Sequence, residues 1–259
     1  MCMKKVLVIG DSCKDVFVYC SSTRLCPDIP VPILNVINEK RSDGMAMNFK
    51  HNVSALGVEC DIITNDQWYK VTKTRYMHKE SNHMFVRIDS GHETIDRINT
   101  KTLNVNGYDL LSEYDLIAIS DYDKGFLQKE DIEYICGRHS NVFVDTKKIL
   151  GPWISSAKYI KINTPEYLAS KHTITKDIED KIIRTSGGEG CYFRGTHYPV
   201  NKVEVIDVSG AGDTFFAGLV ACHVETNAIN SAIEFANECA SKVVQHKGVT
   251  IIDRNMLKT

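Results

Sequence analysis

Short apolar runs recur along this chain with helix-length segments between several of them, and that alternation restricts the fold more than any other feature. Lys5 to Gly10, Cys60 to Thr64, Asp115 to Ser120, Val142 to Asp145, Tyr159 to Ile162 and Lys181 to Thr185 are too short for helices and suit buried strands. A further strand is predicted at Val203 to Val205. Helices are predicted over Ala46 to Leu56, with Gly57 as its C-terminal cap, then Lys129 to Arg138 and Thr164 to Ser170. Two more run from about Gly212 to His223 and from about Ala228 to Gln245. Strands alternating with helices imply an α/β fold with a parallel sheet covered on both faces.

Other segments alternate instead. After the first strand comes a predicted loop rich in Ser and Pro, with Pro27, Pro30 and Pro32, and then a more exposed strand at Ile33 to Glu39. Thr74 to His78 and Met84 to Asp89, joined by the polar linker Lys79 to His83, read as a hairpin. These pieces would form a small β layer beside the main sheet. With no repeat, linker or low-complexity tract, one domain over residues 1–259 is the expectation.

A net charge of -2 gives no general attraction to nucleic acid or an anionic membrane. Asp11 interrupts the first apolar run too early for a signal peptide, and Phe215 to Cys222 is too short to span a bilayer. The expectation is a cytoplasmic protein. Its nine cysteines form no Cys-x-x-Cys pair and read as reduced, mostly buried fillers. The sequon at Asn52 then reads as a chance match.

The segment Ser209-Gly-Ala-Gly-Asp213-Thr-Phe215 directly precedes an apolar helical stretch. Its glycines allow a tight turn and close approach to a ligand. Free N–H groups at the helix start favour a phosphate or developing negative charge, and a carboxylate there can accept a proton. An ordinary Gly-rich turn capped by Asp213 is the plainer reading of this segment alone. There is no Gly-x-x-x-x-Gly-Lys-Ser/Thr loop and no His-Glu-x-x-His site, and Phe215 stands where a dinucleotide fingerprint needs its third glycine.

Asp207-Val-Ser-Gly-Ala-Gly-Asp213-Thr-Phe resembles the C-terminal motif of the ribokinase-like (PfkB) carbohydrate kinases. Asn163-Thr-Pro-Glu166 resembles that family's Asn-x-x-Glu motif, Thr185-Ser-Gly-Gly-Glu-Gly190 its nucleotide segment, and Gly10-Asp11 its sugar-binding first strand. Within the family the likeness is greatest to bacterial heptose 7-phosphate kinases, the kinase half of the bifunctional ADP-heptose enzyme. It runs through Gly10 to Asp15, Cys26 to Pro32, Lys73 to Tyr76, Val86 to Asp89, Ser120 to Gly125, Asp145 to Lys147 and Phe235 to Asn237.

The resemblance implies a three-layer α/β/α fold with a mostly parallel sheet and a small β lid from segments near 13–42 and 73–90. It implies ATP and Mg²⁺, with Asp213 as the base and the amides of Gly210, Ala211 and Gly212 cradling the transferring phosphoryl. Asn163 and Glu166 would act on magnesium through water, and Asp207 would belong to a monovalent-cation loop, for instance for K⁺. Asp11, Asp15, Gly44 and Asn48 would meet the sugar, and Lys124 its phosphate. Thr185, Gly187, Gly190 and Asn237 would line the nucleotide site. A homodimer through the lid is also implied.

The pattern breaks in places. Where heptose kinases have a glycine pair, this chain has Gly44-Met45, so Met45 would reshape the sugar pocket. Asn65 to Thr72 and Gly91 to Tyr114 are shorter than in the family, and nothing here resembles the nucleotidyltransferase half. A kinase for another sugar or nucleoside is thus the first alternative, and a non-catalytic nucleotide-binding protein the second.

Overall fold

The computed structural model describes residues 4–81 and 83–258; Cys2, and Asn82 of the predicted linker, lie outside them. In chain order the strands are β1 (Lys5–Gly10), β2 (Ser12–Ser21), β3 (Asn35–Met45), β4 (Glu59–Ile63), β5 (Thr72–His78), β6 (Met84–Ser90), β7 (Asn104–Val105) and β8 (Tyr108–Asp109). Then follow β9 (Leu116–Asp121), β10 (Val142–Thr146), β11 (Tyr159–Asn163), β12 (Ile182–Thr185), β13 (Cys191–Phe193) and β14 (Thr196–Tyr198). The helices are α1 (Ala46–Ala55), α2 (Lys129–Arg138), α3 (Thr164–Ser170), α4 (Lys176–Glu179), α5 (Ala211–Thr226) and α6 (Ile229–Val243).

The central sheet has the order β14-β13-β12-β11-β10-β9-β1-β4, parallel from β4 to β12 and closed by the antiparallel β13–β14 hairpin. Its central strands β1, β9 and β10 are mostly apolar because both faces are covered. Val6, Val8, Leu116 and Ala118 point into one core with Phe49 of α1, Phe216 of α5 and Ile233 of α6. Leu7, Ile9, Ile117 and Ile119 point the other way, onto Ile132 and Ile135 of α2. The period-2 alternation of side chains thus sorts each strand between two cores, giving the expected three layers.

Sequence and structure differ at three places. The chain after Gly10 is a ten-residue strand, β2; the proline-containing loop starts only beyond Ser21. Val16, Val18 and Cys20 give it an apolar face that packs on Leu34, Tyr76 and Phe85. No ladder forms at Val203 to Val205, which line a cavity instead. The β13–β14 hairpin was not anticipated, because its turn places Arg194 at φ 49, a position usually held by Asn, Asp or Gly.

β2 belongs to a second sheet of order β3-β2-β5-β6, in which β5 and β6 form the predicted hairpin. The stretch 91–114 folds as short 3₁₀ turns and the β7–β8 ribbon. The cysteines of the described residues are free, most of them buried, as expected. Among the described residues no helix is long and apolar enough to cross a membrane.

Candidate active site

Gly10, Ser120, Asp121, Asp145, Thr146, Asn163 and Thr185 end adjacent parallel strands, and their register aligns them along one edge of the sheet. The carboxyl edge of such a sheet is where α/β folds bind ligands. The start of α5 meets this edge. Gly210 precedes α5 at φ 80, which a side chain would strain, and a Cβ there would lie 3.2 Å from Asn48 Nδ2. This turn delivers Asp213 to the site.

Asp213 is only 6% exposed. Asn48 donates to its Oδ2 at 2.9 Å, and the Tyr122 hydroxyl donates to its Oδ1. Burial holds its carboxyl above the ordinary carboxylate value, against the pull of these two donors. The donors are themselves positioned. Asn52 donates to the carbonyl and side-chain oxygens of Asn48 at 2.8 and 3.1 Å, and its own oxygen accepts the Ile252 amide at 2.9 Å. With its oxygen so occupied, Asn48 presents its NH₂ to Asp213.

Asp11, expected to bind the acceptor, is turned inward. It is fully buried and accepts the amides of Tyr122 at 2.7 Å and Phe126 at 3.3 Å. Burial and the neighbouring Asp121 raise its carboxyl to about 6. Through these two bonds it fixes the loop that carries Tyr122.

A charge network lies beside Asp213. Lys161, 4% exposed, donates to Asp145 at 2.6 Å, and its ammonium would lie 3.3 Å from a Cβ on Gly212. Lys147 pairs with Glu166 at 2.6 Å and faces Asp145 at 3.6 Å. Burial would raise the Asp145 carboxyl, but the two lysines outweigh it and hold it below its ordinary value. Asn163 and Glu166 form a capping box at the start of α3: Asn163 accepts the Glu166 amide, and Glu166 accepts the Asn163 amide and side chain.

On the other side of Gly212 lies a cavity of about 390 Å³. Thr185, Gly187, Gly190 and Asn237, expected at the nucleotide site, line it together with Ala211 and Gly212. Val203, Val205, Phe215 and Val244 make its apolar wall, and Lys202 is the one charged residue of its lining. Asn237 also donates to the Tyr198 carbonyl at 3.0 Å, tying α6 to β14.

The remaining expected residues are placed as follows. Asp15 on β2 lies diagonal to Gly44 on β3, and a Cβ on Gly44 would collide with the Asp15 carboxylate, which Arg75 binds. Lys124 is half-buried in the loop after β9, and its charge helps lower His92, whose main shift comes from burial. Both Asp207 oxygens are engaged, by the amides of Ser209 and Gly248 at 2.9 Å each. Met45 keeps a backbone conformation (φ 60, ψ -133) near one that is almost exclusively glycine's, and its side chain packs with Cys13 and Val71.

Sequence reasoning assigned no role to Tyr122, Lys73, Lys147 or Lys161. Lys161 carried a signal as a charge inside an expected strand, and Lys73 as part of the matching stretch Lys73 to Tyr76. Tyr122 fell within the matching stretch Ser120 to Gly125, but nothing local marked its contact with a carboxylate 91 residues away.

Residues 153–255 match the pfkB family of carbohydrate kinases. The bifunctional protein HldE of a Nitratiruptor species is 30% identical over 94% of this chain, which spans about 62% of that protein's length. Ribokinase from Thermotoga maritima superposes with a TM-score of 0.73 at 16% identity, covering 99% of this chain and 98% of its own. Arabidopsis thaliana ribokinase, solved with ribose and ATP, gives 0.71 at 14% identity, covering 99% and 98%. The motif series, the three-layer fold and these likenesses converge: residues 153–255 resemble the pfkB family of carbohydrate kinases, and the chain has the fold of the ribokinases.

Proposed function

We propose that this protein transfers the γ-phosphoryl of ATP to a sugar hydroxyl, with the anomeric hydroxyl of D-glycero-β-D-manno-heptose 7-phosphate as its acceptor and the 1,7-bisphosphate as product. The observation that carries this reading is the buried Asp213 carboxylate, held by Asn48 and Tyr122 between the Gly-lined cavity and the second sheet. The likeness to HldE proteins supports the heptose acceptor.

Asp213 takes the hydroxyl proton as the sugar oxygen attacks phosphorus, and a raised carboxyl is the stronger base. The Ala211 amide is engaged by the Val208 carbonyl at 3.2 Å, so the amides of Gly210 and Gly212 are the donors left for the phosphoryl. Lys161, behind Gly212, adds positive charge there without desolvation at the moment of reaction. The apolar cavity wall suits a purine ring.

Glu166 is occupied by Asn163 and Lys147, while Asp145 Oδ1 is buried without a hydrogen-bond donor. These hard oxygen donors fit a magnesium held through water by Asn163, Glu166 and Asp145. When bound, the ion neutralises phosphate charge. A potassium requirement would be read as faster turnover in K⁺ than in Na⁺ buffer, and Asp207 would act by bracing that loop. The second sheet serves as lid, and its exposed Val36, Ile37, Val86 and Ile88 support a homodimer; a monomer in sedimentation would exclude it.

The deciding experiment incubates the protein with Mg-ATP and a panel of sugars and sugar phosphates. Absence of acceptor-dependent ADP release would sink the kinase reading. Met45 favours a second reading, a kinase for another sugar, and preference for a non-heptose acceptor would establish it.

A further inference from the structure

Three lysines are buried: Lys73, Lys148 and Lys161, at 6%, 8% and 4% exposure. Lys148 is bound by Asp121 at 3.0 and 3.1 Å and by Asp123 at 2.6 Å. Lys161 is bound by Asp145. Lys73 differs, since among the described residues no carboxylate lies within ion-pair distance of its ammonium and no oxygen accepts from it.

The reason lies in the register of the second sheet. Lys73 stands opposite Asp15 on β2 and Asp89 on β6, two carboxylates that would ordinarily neutralise it. Each is already bound by an arginine, Asp15 by Arg75 and Asp89 by Arg87 at 2.6 and 2.7 Å. The ammonium instead lies 4.7 Å over the ring of Tyr122, whose hydroxyl reaches Asp213. Three cations thus face two carboxylates, and the unmatched charge stands one tyrosine ring from the base. A buried charge without a counter-ion is costly, and a ligand anion removes that cost.

We propose that Lys73 is the counter-ion for a phosphate on the acceptor and sets the preference for phosphorylated over unphosphorylated sugar. The inference rests on the kinase reading, and it moves the role expected of Lys124 to Lys73. Lys73 belongs to β5 and is not among the residues lining the cavity proposed for the nucleotide, so the anion it meets is the acceptor's and not ATP's.

The test measures kcat/KM for D-glycero-D-manno-heptose 7-phosphate and for the same heptose without its phosphate, in wild type, Lys73→Gln and Lys73→Arg. Lys73→Gln should lower the phosphorylated-to-unphosphorylated ratio by about 10–100-fold, with KM for ATP little changed, and Lys73→Arg should restore most of it. An unchanged ratio, or a loss expressed in KM for ATP, overturns the proposal while leaving the kinase reading intact. Calorimetric titration of heptose 7-phosphate gives a readout free of turnover. Binding by wild type and its loss in a Lys73→Gln protein that still melts cooperatively supports the inference, even if no ADP is released. Equal binding by the two, or none by wild type, overturns it.

Discussion

The two sheets handle charge and apolar surface in opposite ways. In the central sheet the strands are covered on both faces, and the buried lysines at its edge are matched by Asp121, Asp123 and Asp145. The second sheet has a thin core of Val16, Val18 and Cys20, leaves Val36, Ile37, Val86 and Ile88 exposed, and holds a buried lysine without a carboxylate. On the proposed function, the phosphoryl-transfer groups stand at the start of α5 against the edge of the first sheet, where packing fixes them. The groups proposed to face the acceptor stand on the second, where less burial opposes adjustment to a ligand.

The sharpest way to break this contrast is at the base. Asp213→Asn should lower kcat by about 10²–10⁴-fold while ATP binding, followed by calorimetry, survives; retained turnover would remove Asp213 as the base. Stability separates the two cores. Phe216→Ala, in the packed layer between α1 and α5, should cost about 3–5 kcal/mol in urea unfolding. Phe85→Ala, at the half-buried margin of the thin core, should cost about 1–2 kcal/mol. Equal losses would dissolve the distinction.

Ion pairs should divide the same way. Lys161→Met, which strands a buried Asp145 with Lys147 alone, should cost about 3 kcal/mol. Arg87→Ala, on an exposed pair, should cost about 0–1 kcal/mol. The mildest effect concerns pH. Because burial raises the Asp213 carboxyl above 3.8, kcat/KM should rise with pH along an acid limb displaced upward from that value. Asn48→Ala removes a donor that lowers it, so the limb should move to still higher pH. Movement downward would contradict the assignment.

What the sequence disclosed follows the same division. The starts of α2 and α3 carry local marks, since Asp131 accepts the Gln128 amide and Asn163 and Glu166 form a capping box, each written within four residues. The cavity-lining Gly187 and Gly190 were legible because glycines at φ above zero leave a local mark. β2 was hidden by serines at its ends and prolines beyond it, although Val16 to Cys20 carried the strand pattern. The inward turn of Asp11 and the role of Tyr122 were not legible, because both are set by contacts more than 90 residues apart in the chain. Lys73 was visible as a charge, but its lack of a partner depends on where Arg75 and Arg87 point.

The bond from the Ile252 amide to Asn52 spans 200 residues, and through Asn48 it reaches the base. On a translating ribosome every strand of both sheets is made before that amide emerges. The nascent chain therefore acquires its scaffold first and its catalytic alignment last, so a stalled product ending before Ile252 would hold nucleotide yet transfer phosphoryl slowly. Arrest at successive lengths, with turnover measured on each species, would time that final step.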